Sequence, residues 1–304
     1  MTIYEKRCCP TCGSRASQRE YRSKVEAENL VFEELPEIWN GLFHEKTIFT
    51  YARCDRCGLL YCPEYLSNDQ LAYLYGQMPE NMSEAGNDVI EKTQAEYVNY
   101  LSLDSGRVKG AYLEIGPDVG IFISKVIKKY SFSKFWLFEP NIEVMVRLAH
   151  SVGGNDYKII HDMFNFSDVP DNSVDLAVMI QVLDHLLDPK AALKELQKKL
   201  KKGGKVFIVT HNEGSFLARL FGLGWPAFCL QHPQIFNKKS MKNLIQESGL
   251  MLESINNTKN YFKLDFLLKT LVWIVVKKQI NLPNLLRFDV GLRLGNIATI
   301  AVKS

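Results

Sequence analysis

The chain predicts an α/β fold: a seven-stranded, mostly parallel sheet with helices on both faces, preceded by a small metal-stapled module. Three observations carry this. From Ala111 to Thr210, apolar runs of strand length alternate with helical patterns, the signature of parallel strands joined by crossover helices. The first run continues as Tyr112-Leu-Glu-Ile-Gly-Pro-Asp-Val-Gly120, and the second, Phe135 to Phe138, ends in Glu139-Pro140. Upstream, Cys9-Pro-Thr-Cys12-Gly13 and Cys54-Asp-Arg-Cys57-Gly58 repeat a single turn motif.

Taken in order, strands are expected at Ala111–Ile115, Phe135–Phe138, Tyr157–Ile160, Val174–Ile180 and Lys205–Thr210. Helical patterns occupy Ile121–Tyr130, Ile142–Ser151 and Ala191–Leu200. In the last, Ala192, Leu193, Leu196 and Leu200 share a face, and Lys201-Lys202-Gly203-Gly204 stops the helix. A further helix is read from about Asp88 to Leu101 and another over Lys239–Ser248, with a sixth strand at Met251–Asn256 and a seventh at Ile297–Val302. In a sheet of this kind ligands sit at the carboxyl ends of the strands. A glycine turn there lets backbone approach a nucleotide-like cofactor, and an acid one strand over accepts hydrogen bonds from ribose hydroxyls.

The two cysteine turns put paired thiolates on one side of a tight loop, and two such knuckles complete a tetrahedral four-sulfur zinc site. Cys9, Cys12, Cys54 and Cys57 are the expected ligands. Four thiolates leave no open position, so the zinc is read as structural, supplying folding energy to a module poor in apolar residues. The 41 residues between the knuckles require strands, expected at Lys24–Glu33 and Thr47–Arg53. Cys8 is an alternative to Cys9, while Cys62 and Cys229 read as packed or free thiols.

Composition bounds the rest. With 304 residues, 46% hydrophobic and 23% charged, the chain can bury a full core and hold more than one module. A net charge of +3 does not by itself point to nucleic acid. From Lys259 onward eight Lys or Arg stand against two Asp, a local +6. No secretory h-region opens the chain, and the apolar window Phe266–Val276 is too short to span a bilayer. Clustered rather than scattered cysteines point to a reducing cytoplasm.

Four motifs in order resemble those of class I S-adenosylmethionine-dependent methyltransferases: Leu113-Glu-Ile-Gly-Pro-Asp-Val-Gly120, Phe138-Glu139-Pro140, the stretch from Asp171 to His185, and Leu200-Lys-Lys-Gly-Gly-Lys-Val206. The resemblance covers residues 90 to 258 and the last ten, and implies a Rossmann-like seven-stranded sheet. It implies that Glu114, Gly116, Pro117 and Gly120 shape the turn under the methionine end of S-adenosylmethionine and that Glu139 holds the ribose. By the same resemblance Asp162 faces adenine with Met163 beside it, and Gln181 lies near the sulfonium. Asp118 departs from the family pattern, standing where a glycine is common, and its carboxylate is expected to alter the turn or crowd the methionine moiety.

Methyl transfer to a hydroxyl needs alignment and a base. The candidates are His185, His211 and His232. His232 is favoured for its place in the insertion Trp225-Pro-Ala-Phe-Cys-Leu-Gln-His232, whose Trp225 and Phe228 are candidates to stack on an acceptor ring. On a helix, Gln181, Asp184 and His185 share one face, which some family members use to bind a divalent metal. Each histidine has a plainer reading as a packing or capping residue.

The expected organisation is a zinc-ribbon-like module over residues 1–75, a helical linker over 76–108 and a methyltransferase domain over 109–304, with a helical insertion at 257–296 before the last strand. That insertion is read as a lid or homodimer surface, as a peripheral membrane contact through 261–288, or as packing on the zinc module. The combination resembles bacterial sugar and specialised-metabolite methyltransferases, implying O-methylation of a small-molecule or saccharide acceptor. Two alternatives stand beside it. One is an RNA methyltransferase whose zinc module reads nucleic acid, opposed by five Glu and no Lys or Arg in Val25–Glu37. The other is a degenerate, non-catalytic binding protein.

Overall fold

A computed structural model describes residues 4–39, 46–76, 87–101, 103, 109–276, 283 and 286–304. In the amino-terminal part, β1 (Ser17–Tyr21), β2 (Tyr51–Cys54) and β3 (Leu60–Tyr61) form an antiparallel sheet, followed by α1 (Asn68–Gly76). A longer helix, α2 (Asn87–Val98), leads into the core. The expected strand at Lys24–Glu33 is not formed. Two 3-10 turns, Ala27–Asn29 and Phe32–Glu34, replace it. Glu34 accepts from the Val31 amide at 3.0 Å, and both Glu28 oxygens accept from the Thr50 amide at 3.1 Å. The Glu34 bond closes its turn on itself, whereas the Glu28 bonds tie the first turn to the residue before β2, 22 positions on. The second expected strand is β2, shorter at its start than anticipated.

The core follows as β4 (Lys109–Ile115), α3 (Ile121–Lys129), β5 (Phe132–Phe138), α4 (Met145–Val152), β6 (Tyr157–Ile160), β7 (Val174–Ile180), α5 (Pro189–Lys199) and β8 (Leu200–His211). After these come α6 (Phe216–Phe221), β9 (Gln234–Ile235), α7 (Lys238–Glu247), β10 (Met251–Asn257), β11 (Asn260–Lys263), α8 (Leu264–Val276), β12 (Asp289–Leu292) and β13 (Asn296–Val302). The seven-stranded sheet runs β10-β13-β8-β7-β4-β5-β6. Strands β4 to β8 are mutually parallel and β13 is antiparallel to both its neighbours. The helix stop at Lys201–Gly204 works differently from expectation: α5 ends at Lys199, and these residues enter β8 through a register shift between Leu200 and Lys205. The α5 stripe of Ala192, Leu193, Leu196 and Leu200 is buried as read.

Two features bear on the site. The amino-terminal sheet draws its edge strand from far downstream, because β9 pairs antiparallel with β3, giving the order β9-β3-β2-β1. Arg7 reinforces this join, donating to Leu187 O at 2.7 Å and to Gln234 Oε1 at 3.1 Å. The segment between β10 and β13 folds as β11-α8-β12, with β11 and β12 paired. It docks on α2: the Tyr261 amide donates to Thr93 Oγ1 at 2.8 Å, and Asp289 pairs with Lys92 and Lys263. Residues 277–282 and 284–285, part of the expected insertion, lie outside the described residues. Among the described residues no helix is long and apolar enough to cross a membrane.

Candidate active site

The glycine turn expected from the sequence leaves the carboxyl end of β4. Gly116 has φ +66° and Gly120 φ +80°, a left-handed backbone that only glycine adopts without strain. Space forbids a side chain as well: a Cβ on Gly116 would lie 2.8 Å from Val182 Cγ2, and one on Gly120 would lie 2.7 Å from Ser151 Cβ. Pro117 is buried and its carbonyl accepts from the Gly120 amide at 2.9 Å, closing the turn. Asp118 accommodates the turn with φ +50°, a value Asp tolerates better than most residues. Its amide donates to Glu139 Oε2 at 2.9 Å. The departure from glycine therefore leaves the turn intact and ties it to the acid one strand over.

Glu139, at the end of β5, accepts the Asn141 amide on its other oxygen at 2.9 Å. Burial raises its pKa and these two amides oppose the rise. Each oxygen retains acceptor capacity for a diol. Glu114 is buried within β4 and accepts from Tyr112 Oη at 2.5 Å; burial pushes its pKa up to about 8, with Glu139 adding to the rise. Gln181, directly after β7, sits at φ +56°, and its Oε1 is buried without a hydrogen-bond partner. A buried oxygen without a protein partner suits a hydrogen-bond donor on a bound ligand. Asp162 is exposed and its Oδ1 caps the loop, accepting from Phe164 N at 2.7 Å and Asn165 N at 3.0 Å. Met163 packs half-buried against the core.

The three histidines, 26 and 21 positions apart in the chain, converge. Residues Leu183–His185 form a 3-10 turn after β7 rather than the α-helix expected. Asp184 is thereby wholly buried beneath the end of β8. Its Oδ2 accepts from His211 Nδ1 at 2.6 Å and from the His211 amide at 3.1 Å. Burial would raise the Asp184 pKa, but the His211 bond and the surrounding histidines hold it well below the carboxylate range. His185 Nε2 lies 3.2 Å from His232 Nε2, and the His211 and His232 rings are 4.7 Å apart.

Outer contacts fix the ring nitrogens. His232 Nδ1 donates to Ala227 O at 2.7 Å and lies 3.3 Å from Cys229 Sγ. His185 Nδ1 meets Tyr75 Oη at 2.9 Å. Burial depresses His185 to about 3 and lowers His211 against the pull of Asp184. Burial also works against charge on His232, yet Cys229 and Asp184 raise it to about 9. Neutral His211, oriented through Nδ1, keeps Nε2 as a lone pair; a quarter of its side chain is exposed.

Sequence reasoning missed Tyr75, carried in by α1, and read Cys229 only as a packed or free thiol. Nothing local marks Tyr75, whose place depends on the β3–β9 join. Phe228 and Trp225 are not open stacking platforms. They are buried with Tyr21 and Tyr51, because this loop closes the amino-terminal core.

At the opposite end of the module, the four cysteines gather. Cys9 Sγ lies 3.4 Å from Cys57 Sγ and Cys12 Sγ 3.5 Å from Cys54 Sγ, with all four sulfurs within 4.8 Å of one another. The knuckles are alike: Gly13 N donates to Cys9 O and Gly58 N to Cys54 O, with φ +72° and +76°. Cys8 is exposed and takes no part.

The sequence pattern of a family described as "Methyltransferase domain" matches residues 89–255. No curated protein matches the chain in sequence. Among solved structures, a Bacillus halodurans C-125 methyltransferase is similar at 14% identity and TM-score 0.50, over 70% of this chain and 99% of that one. A chain from the complex of the Haloferax volcanii Trm112 methyltransferase activator with a methyltransferase is similar at 12% identity and TM-score 0.51, over 71% of this chain and 92% of that one. These likenesses concern the fold. The family pattern spans more than half of the chain, from the helix before the glycine turn to the sixth strand, and on that basis the protein belongs to the methyltransferase-domain family as an S-adenosylmethionine-dependent methyltransferase.

Proposed function

We propose that the enzyme methylates a hydroxyl of a small-molecule or saccharide acceptor, with His211 as the base. One observation carries this reading. Val182, packed against Gly116 of the cofactor turn, is two residues from Asp184, which holds His211. A donor turn and an oriented imidazole thus share one short segment. Bound S-adenosylmethionine supplies an electrophilic methyl group. The chain's part is to align the acceptor for in-line attack and to take the hydroxyl proton on His211 Nε2. Asp184 orients the ring and stabilises the imidazolium that forms, as the carboxylate does in hydrolase triads.

His232 fits less well as the base, since its Nδ1 is committed to Ala227 O and its Nε2 faces His185. His185, Tyr75 and His232 are assigned to lining the acceptor side. On the donor side, Glu114, Gly116, Pro117, Gly120, Glu139 and Gln181 are assigned to the cofactor, with the second oxygen of Asp162 and the side chain of Met163 toward adenine. The four cysteines suit structural zinc, because an all-thiolate set of this compactness is closed to substrate. Residues 1–75 are assigned as the zinc-binding module and 109–304 as the catalytic domain.

The test uses zinc-loaded full-length protein. Calorimetry with S-adenosylhomocysteine should give saturable heat. Methyl transfer from labelled donor to a panel of free and nucleotide-linked sugars should depend on His211. Loss of at least about a hundredfold in kcat on His211→Gln, with donor affinity kept, is expected of a general base. Unchanged kcat would remove His211 from that role.

A further inference from the structure

We propose that Asp184, His211 and His232 bind one divalent transition-metal ion, forming a second metal site besides the four cysteines. An ion there takes the lone pairs that proton removal needs, so a filled site silences the base. The silencing rests on the base reading above; the binding does not.

The ligands come from three separate segments: the turn after β7, the end of β8 and the loop before β9. One donor atom from each lies within 4.8 Å of the others. Two imidazoles and a carboxylate make a nitrogen-rich set of borderline softness, suited to Zn²⁺, Co²⁺ or Ni²⁺ rather than Mg²⁺ or Ca²⁺. The outer contacts have the form such sites use. His232 is fixed through Nδ1 by the Ala227 carbonyl, leaving Nε2 for a ligand. His185, fixed through Nδ1 by Tyr75, sets its Nε2 3.2 Å from that of His232 and so orients that ring from the other side.

A second observation is independent of the histidines. Asp184 is wholly buried and its Oδ1 has no hydrogen-bond partner. An unpartnered buried carboxylate oxygen is costly, and a cation relieves that cost directly. This ligand set differs from the single-segment face of Gln181, Asp184 and His185 considered from the sequence. It crosses three segments and leaves Gln181 to the cofactor.

The experiment is a metal count on the intact chain. Protein stripped of loosely held ions by a mild chelator is titrated with Co²⁺ and its bound metal measured by plasma emission. Two equivalents are expected per chain. One is the zinc that the cysteines keep through the mild chelator, and the other is cobalt with only weak d–d bands from nitrogen and oxygen ligands. His211→Gln and Asp184→Asn should each weaken the second equivalent by at least about tenfold and leave the sulfur-linked one unchanged. Because Asp184 is buried and its variant can misfold, the partly exposed His211 position and the parent stoichiometry keep the test decisive.

A single equivalent in the parent overturns the site, as does a second equivalent that survives both substitutions. Methyl transfer should fall in step with occupancy and return when the chelator removes the second ion. A rise on filling overturns the silencing. Should His211→Gln transfer methyl as fast as the parent, the base reading fails while the metal count still stands.

Discussion

Glu114 holds a proton at neutral pH because burial in β4 lifts its pKa from 4.5 to about 8. A carboxyl whose folded pKa is raised contributes stability that is fully present below the unfolded value and lost as pH rises through the folded one. Stability should therefore decline between about pH 4.5 and about pH 8, by an amount on the order of a few kcal/mol for this group. Glu114→Gln removes that contribution. Thermal melts of the variant and parent should converge at pH 5 and diverge at pH 8.5 in favour of the variant; parallel curves would show that Glu114 is ionised in the fold. Gly116→Ala acts by geometry instead. Both φ +66° and the 2.8 Å approach of Val182 oppose a Cβ, so donor affinity should drop at least about tenfold by calorimetry while the protein remains folded. That Glu114 lies in a strand, Gly116 in the turn after it and Glu139 at the end of the neighbouring strand was legible in the sequence, because these are local features with fixed offsets. The partners of His211 were not. Asp184 lies 27 positions away, and only the parallel pairing of β7 with β8 brings the two together.

The knuckles were legible for the same reason as the glycine turn: each is a short loop with its own signature. What lies between them was not. Val25, Leu30, Val31 and Phe32 read as an extended run, yet Glu34 bonds the Val31 amide within one turn and Glu28 reaches the Thr50 amide 22 positions on. Equally hidden was β9, two residues long and paired with a strand more than 170 positions earlier. That pairing makes the cysteine cluster matter to the acceptor loop. Cys57 O accepts from Asn243 of α7 at 3.0 Å, and Cys62 N donates to Pro233 O at 2.8 Å, next to His232. Stripping metal from the cysteines with a strong chelator should loosen β3 and with it β9. Hydrogen exchange should rise across Leu59–Tyr65 and His232–Phe236, and remain slow in β4, β7 and the centre of β8, which sit deep in the seven-stranded sheet. Equal exchange in both regions would mean the cysteine module is a general staple with no particular hold on the loop.

The molecule divides its labour by sheet. The groups assigned to the donor, from Gly116 to Gln181, all lie in turns just past neighbouring strands of the seven-stranded sheet. The groups assigned to the acceptor come from both halves. Tyr75 of α1 reaches His185, Tyr51 Oη donates to His232 O at 2.5 Å, and Tyr65 Oη bonds the Leu230 carbonyl. Alternation of strands and helices announced the first arrangement, while the second depends on long-range docking that no local pattern encodes. This division separates two sets of effects. Tyr75→Phe removes one hydrogen bond to a histidine and nothing from the cofactor turn. Donor affinity should therefore stay within about twofold, and kcat/KM for the acceptor should fall about fivefold to tenfold, as expected for a net bond of about 1 kcal/mol. Gly116→Ala should show the opposite split. The pair is best compared in one assay in which donor and acceptor concentrations are varied independently. If Tyr75→Phe instead raised the donor's dissociation constant as much as Gly116→Ala does, the two substrates would share a single coupled pocket, and the amino-terminal half would have a part in gripping the cofactor.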